Sequence, residues 1–229
     1  MKNGRMFGGK PRSGDQIWVK ICGITNQADA LAAIEAGADA LGFNLVRKSK
    51  RYIDIDCAAC WIDKLPRDIC RVAVMADPNW EDACRIGQLP FLDALQLHGS
   101  ESPEFCRRLA DARIPFAKAV PVTASKSLAD LPNYFTDTMI LDSSAGGAFG
   151  GTGKPFPWKF APEFLRHHPG ITVILAGGLN PENVAEAVSV VRPRGVDVTT
   201  GVEGSPGRKD HGLLRAFVQA ARRVPGVRG

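Results

Sequence analysis

The sequence predicts an α/β fold, a (β/α)8 TIM barrel in a single domain, and three observations predict it. Eight short apolar or β-branched runs alternate with longer helical patterns as far as the C-terminus, with no linker breaking the series. The units are near-equal in length and the first strand lacks a dinucleotide fingerprint, which favours a closed barrel over an open doubly wound sheet. The 229 residues are close to what one such barrel takes.

The predicted strands, in order, are Ile17 to Cys22, Ala40 to Leu45, Cys70 to Met75, Ala94 to Leu97, Phe116 to Ala119, Met139 to Leu141, Thr172 to Ala176 and Gly195 to Val198. Between them, the helix from Asn26 should end at Gly37 in a left-handed cap. Ser102-Pro103 and Asn180-Pro181 each put an N-cap residue before a proline at the first helical position. Val184, Ala187, Val188 and Val191 form one helical stripe, and Leu214, Phe217, Val218 and Ala221 another. Short helices are expected around Asp56 to Lys64 and near Ser127 to Asp130.

Composition narrows the function classes. No apolar run approaches the roughly 20 residues needed to span a bilayer, so a soluble, cytoplasmic protein without a membrane partner is expected. Met1 to Gly14 carries Lys2, Arg5, Lys10 and Arg12 but no apolar core, unlike a secretory signal. Residues 1–15 are therefore expected to be a disordered basic extension and 16–229 the catalytic barrel. Those four cations supply most of the formal +5 charge, so the barrel is close to neutral and nucleic acid is not the expected partner. Six cysteines without a signal sequence favour reduced thiols. Cys57 and Cys60 form a C-x-x-C, but no second pair accompanies them, and His167, His168 and His211 lack metal-ligand spacing. No metal and no cofactor are expected.

In a barrel of this kind chemistry sits at the C-terminal ends of the strands. Alternation puts Lys20 and Cys22 on one face of the first strand, lining the barrel. A free thiol titrates near ~8.5, so Cys22 as a base needs help from a cation or a helix N-terminus at the barrel mouth; Lys20 is one candidate, although Asp197 on the last strand is expected to compete for it in an interior ion pair. Asp142 closes the sixth strand, expected opposite the first across the barrel, so that its side chain and Cys22 could flank one ligand. Gln96 and His98 end the fourth strand. Gly177, Gly178, Thr200 and Gly201 follow strands seven and eight, where barrels often hold phosphate on backbone N–H groups. Ser143 to Gly153, rich in glycine, reads either as a lid or as a plain connector.

These positions fall within a longer set of motifs. Val19-Lys20-Ile21-Cys22-Gly23-Ile24-Thr25, Gly37-Ala38-Asp39-Ala40-Leu41-Gly42-Phe43, Ser49-Lys50-Arg51-Tyr52, Gln96-Leu97-His98-Gly99, Leu141-Asp142, Gly150-Gly151-Thr152-Gly153-Lys154, Gly177-Gly178-Leu179-Asn180-Pro181-Glu182-Asn183-Val184 and Asp197-Val198-Thr199-Thr200-Gly201-Val202-Glu203 closely resemble the phosphoribosylanthranilate isomerase family of tryptophan biosynthesis. The likeness runs from about Trp18 to His211. It implies an Amadori rearrangement of N-(5-phosphoribosyl)anthranilate, a phosphorylated small-molecule substrate, without metal or organic cofactor, by a monomer or homodimer. It implies Asp142 as the acid that opens the furanose ring and Cys22 as the base that removes the C2′ proton. Arg51 then looks like the partner of the anthranilate carboxylate. The implied substrate contacts are Arg51, Gln96, His98, Gly177, Gly178, Asp197, Thr200 and Gly201.

The chain departs from the family pattern at Asn44, where an apolar residue is expected, and at Val46-Arg47, which replaces an aromatic-proline pair. Thr199-Thr200 stands where serines are common. Two other phosphate-barrel activities are disfavoured: an indole-glycerol-phosphate synthase should show lysine and glutamates at its strand ends, and an epimerase carboxylate and histidine metal ligands.

Overall fold

The computed structural model describes residues 16–121, 134–142, 165, 166, 168 and 170–224. The extension expected over residues 1–15, the helix expected near Ser127 to Asp130 and the stretch Ser143 to Gly153 lie outside the described residues.

Eight parallel strands close into one barrel in chain order. They are β1 (Trp18–Cys22), β2 (Ala40–Asn44), β3 (Cys70–Met75), β4 (Ala94–Leu97), β5 (Phe116–Pro121), β6 (Thr138–Asp142), β7 (Thr172–Ala176) and β8 (Gly195–Val198), and β8 pairs back onto β1. Around them lie α1 (Gln27–Glu35), α2 (Ile55–Ile62), α3 (Trp80–Gly87), α4 (Pro103–Asp111), α5 (Val184–Val191) and α6 (His211–Arg222).

The strands read as continuous apolar runs because both of their faces are covered. Val19, Ile21, Leu41, Phe43, Leu95 and Leu175 pack outward beneath the helices. Trp18, Ala40, Val72, Ala94, Ala117, Ile140 and Ile174 fill the interior. Most interior side chains are small, and the one large ring, Trp18, stands in register with Gly195, which has no side chain to obstruct it. The same alternation carries the inward face of each strand up to the C-terminal mouth.

Helix starts follow their caps. Asn26 accepts the Asp29 N–H at 2.9 Å, and α1 ends before Gly37, whose φ of +96° is the left-handed conformation its sequence position suggests. Ser102 accepts the Phe105 N–H at 3.2 Å above Pro103. Asn180 behaves differently from expectation. Its side chain accepts the N–H groups of Glu182 and Asn183, but the turn it caps runs through 181–183 and α5 begins only at Val184. A second difference is an antiparallel hairpin of β9 (Glu203–Ser205) and β10 (Arg208–Lys209), which follows β8 through a short 3-10 turn, Thr200–Val202. Nothing in its composition is strand-like, and its two strands are joined by an ion pair between Lys209 and Glu203. No described helix is long and apolar enough to cross a membrane.

Candidate active site

The inward face of β1 carries Lys20 and then Cys22. Lys20 sits opposite Asp197 in the β1–β8 register, and its Nζ lies 2.9 Å from each carboxylate oxygen. Both side chains are buried. Burial works to lower the Lys20 pKa, but the Asp197 carboxylate, with the Cys22 sulfur nearby, outweighs it and the pKa rises. The ion pair considered from the sequence is therefore present, and Lys20 Nζ and Cys22 Sγ both lie against Gly42. Gly42 on β2 makes room for both: a Cβ there would lie 2.7 Å from Cys22 Sγ and 2.9 Å from Lys20 Nζ.

Asp142, at the end of β6, stands across the mouth from Cys22. It is not diametrically opposite, because only β7 and β8 separate β6 from β1. His98 Nε2 lies 3.1 Å from Asp142 Oδ2, and the Gln96 amide nitrogen lies 3.0 Å from His98 Nδ1. Gln96, expected to contact substrate, is fully buried and touches the cavity wall behind His98.

Two cavities open at the mouth and share their central residues. One, of about 210 Å³, runs beneath Gly177, Gly178, Asn180, Thr200 and Gly201. The other, of about 100 Å³, runs toward Gly23, Asn44, Ser49 and Arg51. Cys22, His98 and Asp142 line both. The glycine loops are shaped by backbone demands. Gly177 and Gly178 have φ of +83° and +65°, and a Cβ on Gly201 would fall 2.0 Å from the Leu179 carbonyl oxygen, so the loops after β7 and β8 meet backbone to backbone.

Arg51 borders the second cavity and is held by a residue given no role from the sequence, Glu203. Arg51 Nε and Nη2 donate to the two Glu203 oxygens at 2.8 and 2.6 Å, and Nη2 also reaches Thr200 Oγ1 at 3.2 Å. Glu203 is shared with Lys209, whose Nζ lies 3.2 Å from Oε1 and donates to the Thr199 carbonyl. Burial alone would raise the Glu203 pKa, yet the Arg51 and Lys209 cations hold it below the usual glutamate value. Lys209 is itself so buried that its pKa falls despite that carboxylate. Arg51 and Glu203 are 152 positions apart, and only the family likeness of the run ending at Glu203 hinted at it. Asn44 ends the inward row of β2, so it is a lining residue, where a polar group is at home. Its Oδ1 accepts the Val46 N–H at 2.9 Å and shapes the turn where the aromatic-proline pair is replaced.

Fold and site together define a TIM-barrel enzyme with a bipartite pocket, a carboxyl and a thiol at its centre and glycine-bearing loops at one end. The family model for N-(5'-phosphoribosyl)anthranilate (PRA) isomerase matches residues 19–220. The N-(5'-phosphoribosyl)anthranilate isomerase of Geobacter sp. strain M21 is 45% identical over 206 residues, 90% of this chain and 98% of that protein. The crystal structure of the Thermotoga maritima phosphoribosyl anthranilate isomerase superposes with a TM-score of 0.83 at 41% identity, covering 91% of this chain and all of that one. Another solved isomerase, in complex with reduced 1-(o-carboxyphenylamino)-1-deoxyribulose 5-phosphate, gives a TM-score of 0.79 at 39% identity over 91% of this chain and all of that one. The chain belongs to the N-(5'-phosphoribosyl)anthranilate isomerase family.

Proposed function

We infer that this protein converts N-(5-phosphoribosyl)anthranilate to 1-(2-carboxyphenylamino)-1-deoxyribulose 5-phosphate, the aldose-to-ketose step of tryptophan biosynthesis. The observation that carries the assignment of residues is the pair of cavities meeting at Cys22, His98 and Asp142. A substrate with a phosphate at one end and a carboxylated ring at the other fits them, with the phosphate under Gly178 and Gly201 and the carboxylate toward Arg51. Arg51 Nη1 makes no hydrogen bond among the described residues, while Glu203 fixes the other edge of the guanidinium.

Protonated Asp142 gives its proton to the furanose ring oxygen. The C1′–O bond breaks toward that oxygen, and the anilino nitrogen lone pair forms the C1′=N bond. Cys22 as thiolate takes the C2′ proton, and the electrons of that bond move through C1′=N to nitrogen, leaving an enolamine. Tautomerisation gives the C2′ ketone. For the two proton transfers to run in this order, the carboxyl and the thiol must start in opposite protonation states.

The test is the loss of substrate fluorescence with freshly generated N-(5-phosphoribosyl)anthranilate. Cys22→Ala and Asp142→Asn should each lower kcat by about 10²–10⁴ at unchanged urea midpoints. Folded native protein without turnover would refute the activity, and a fully active variant would remove that residue from the chemistry.

A further inference from the structure

Three side chains form a hydrogen-bonded line behind the acid position. Gln96 and His98 both face inward at the top of β4. The Gln96 amide nitrogen is 3.0 Å from His98 Nδ1, and His98 Nε2 is 3.1 Å from Asp142 Oδ2. Gln96 Oε1 is buried with no hydrogen-bond partner among the described residues.

Donor and acceptor rules tie the three together. An amide NH2 only donates, so Nδ1 must accept, and a neutral imidazole that accepts at Nδ1 carries its proton on Nε2. That proton faces Asp142 Oδ2. Turning the amide over would place Oε1 against Nδ1, force the other tautomer and leave amide N–H groups buried instead of a carbonyl. Orphaned N–H groups are the rarer outcome in folded proteins.

We propose that Gln96 is a positioning residue: it holds His98 as the Nε2–H tautomer, and His98 in turn orients the Asp142 carboxyl through Oδ2 for its proton transfer to the ring oxygen. This catalytic half rests on the reading of Asp142 as the acid. As the carboxyl O–H bond breaks and the ring oxygen gains the proton, the charge left on the carboxylate meets a donor already in place. Nε2 keeps its own proton throughout. Gln96 thereby acts on the chemistry without touching the sugar, although the motif alone groups it with the substrate contacts.

The experiment is ¹⁵N spectroscopy of histidine-labelled protein, with His98→Gln identifying the His98 signals, beside steady-state kinetics. Native protein should show His98 protonated at Nε2. Gln96→Glu, which offers only acceptors, should move a proton onto Nδ1, and Gln96→Met, a near-isostere with no hydrogen bond, should mix the tautomers. Turnover should fall about tenfold in Gln96→Met and about a hundredfold in Gln96→Glu, with KM changed less than about threefold. The methionine variant keeps the test open should the buried carboxylate of Gln96→Glu prevent folding. Nδ1–H in native protein, or an unchanged tautomer in both variants, would overturn the hydrogen-bond half. A changed tautomer with unchanged kcat would overturn the catalytic half. A native protein with no isomerase activity whose His98 tautomer still follows Gln96 would locate the error in the activity assignment and leave the array standing.

Discussion

At the residue scale, the mouth of the barrel concentrates charge that the rest of the interior excludes. Lys20 and Asp197 are deeply buried and answer one another directly across β1 and β8. Removing one member of such a pair leaves an uncompensated charge in a water-poor site, a far larger penalty than the pair's own net contribution. Lys20→Met is therefore expected to destabilise the protein by about 3–5 kcal/mol in urea titrations and to lower turnover, because Cys22 loses its neighbouring cation. Unchanged stability and activity would show that the pair is dispensable. The pair itself was legible in the sequence, since strand alternation and closure of the barrel put Lys20 and Asp197 side by side. The partner of Arg51 was not. Glu203 lies beyond a turn, on a hairpin with no strand signal, and its position depends on where β8 ends and how the chain folds back over the mouth.

At the element scale, the loops after β7 and β8 work as one unit. Gly201 packs against the Leu179 carbonyl so closely that no side chain fits. Gly201→Ala should push the two loops apart, raising KM for the phosphorylated substrate at least about tenfold, with a smaller change in kcat. An unchanged KM would mean the close approach has no part in holding phosphate. Helix α4 lines neither mouth cavity, and its start is set by the same local capping rules. Losing the Ser102 cap in Ser102→Ala should cost about 1 kcal/mol in the thermal or urea midpoint while leaving KM alone. The caps at Asn26 and Ser102 were legible because capping is a matter of a few adjacent residues. The start of α5 shifted past Asn180 because that side chain closes a turn first, which local pattern does not distinguish from a helix start.

At the scale of the whole molecule, buried carboxylates set the acid limit. Glu203 and Asp29 both have lowered pKa values in the folded protein. For Glu203, burial opposes the shift and the two cations prevail; for Asp29, burial again opposes it, and the Lys209 N–H and His211 prevail. A carboxyl lowered on folding contributes stability that is fully present above its unfolded value and is lost as pH falls through the folded one. With unfolded values near ~4.3 for glutamate and ~3.9 for aspartate, stability should hold above about pH 4.5 and decline below it. Glu203→Gln should make that decline shallower in urea titrations compared at about pH 6 and about pH 3.5. An equal slope in both proteins would exclude Glu203 from the acid limit. These groups span α1, β9, β10 and the loop carrying Arg51.

The sequence by itself determined the eight strands, their order, the inward row that ends in Cys22 and Asp142, and the glycine loops, because each follows from alternation, local capping or backbone freedom within a few residues. Tertiary structure decided which groups meet. It set Glu203 between Arg51 and Lys209, Gln96 behind His98, His98 against Asp142 and Gly42 beneath the Cys22 sulfur. The physical reason is that hydrogen bonds and ion pairs act over about 3 Å, a range that sequence spacing does not encode once the chain has closed on itself.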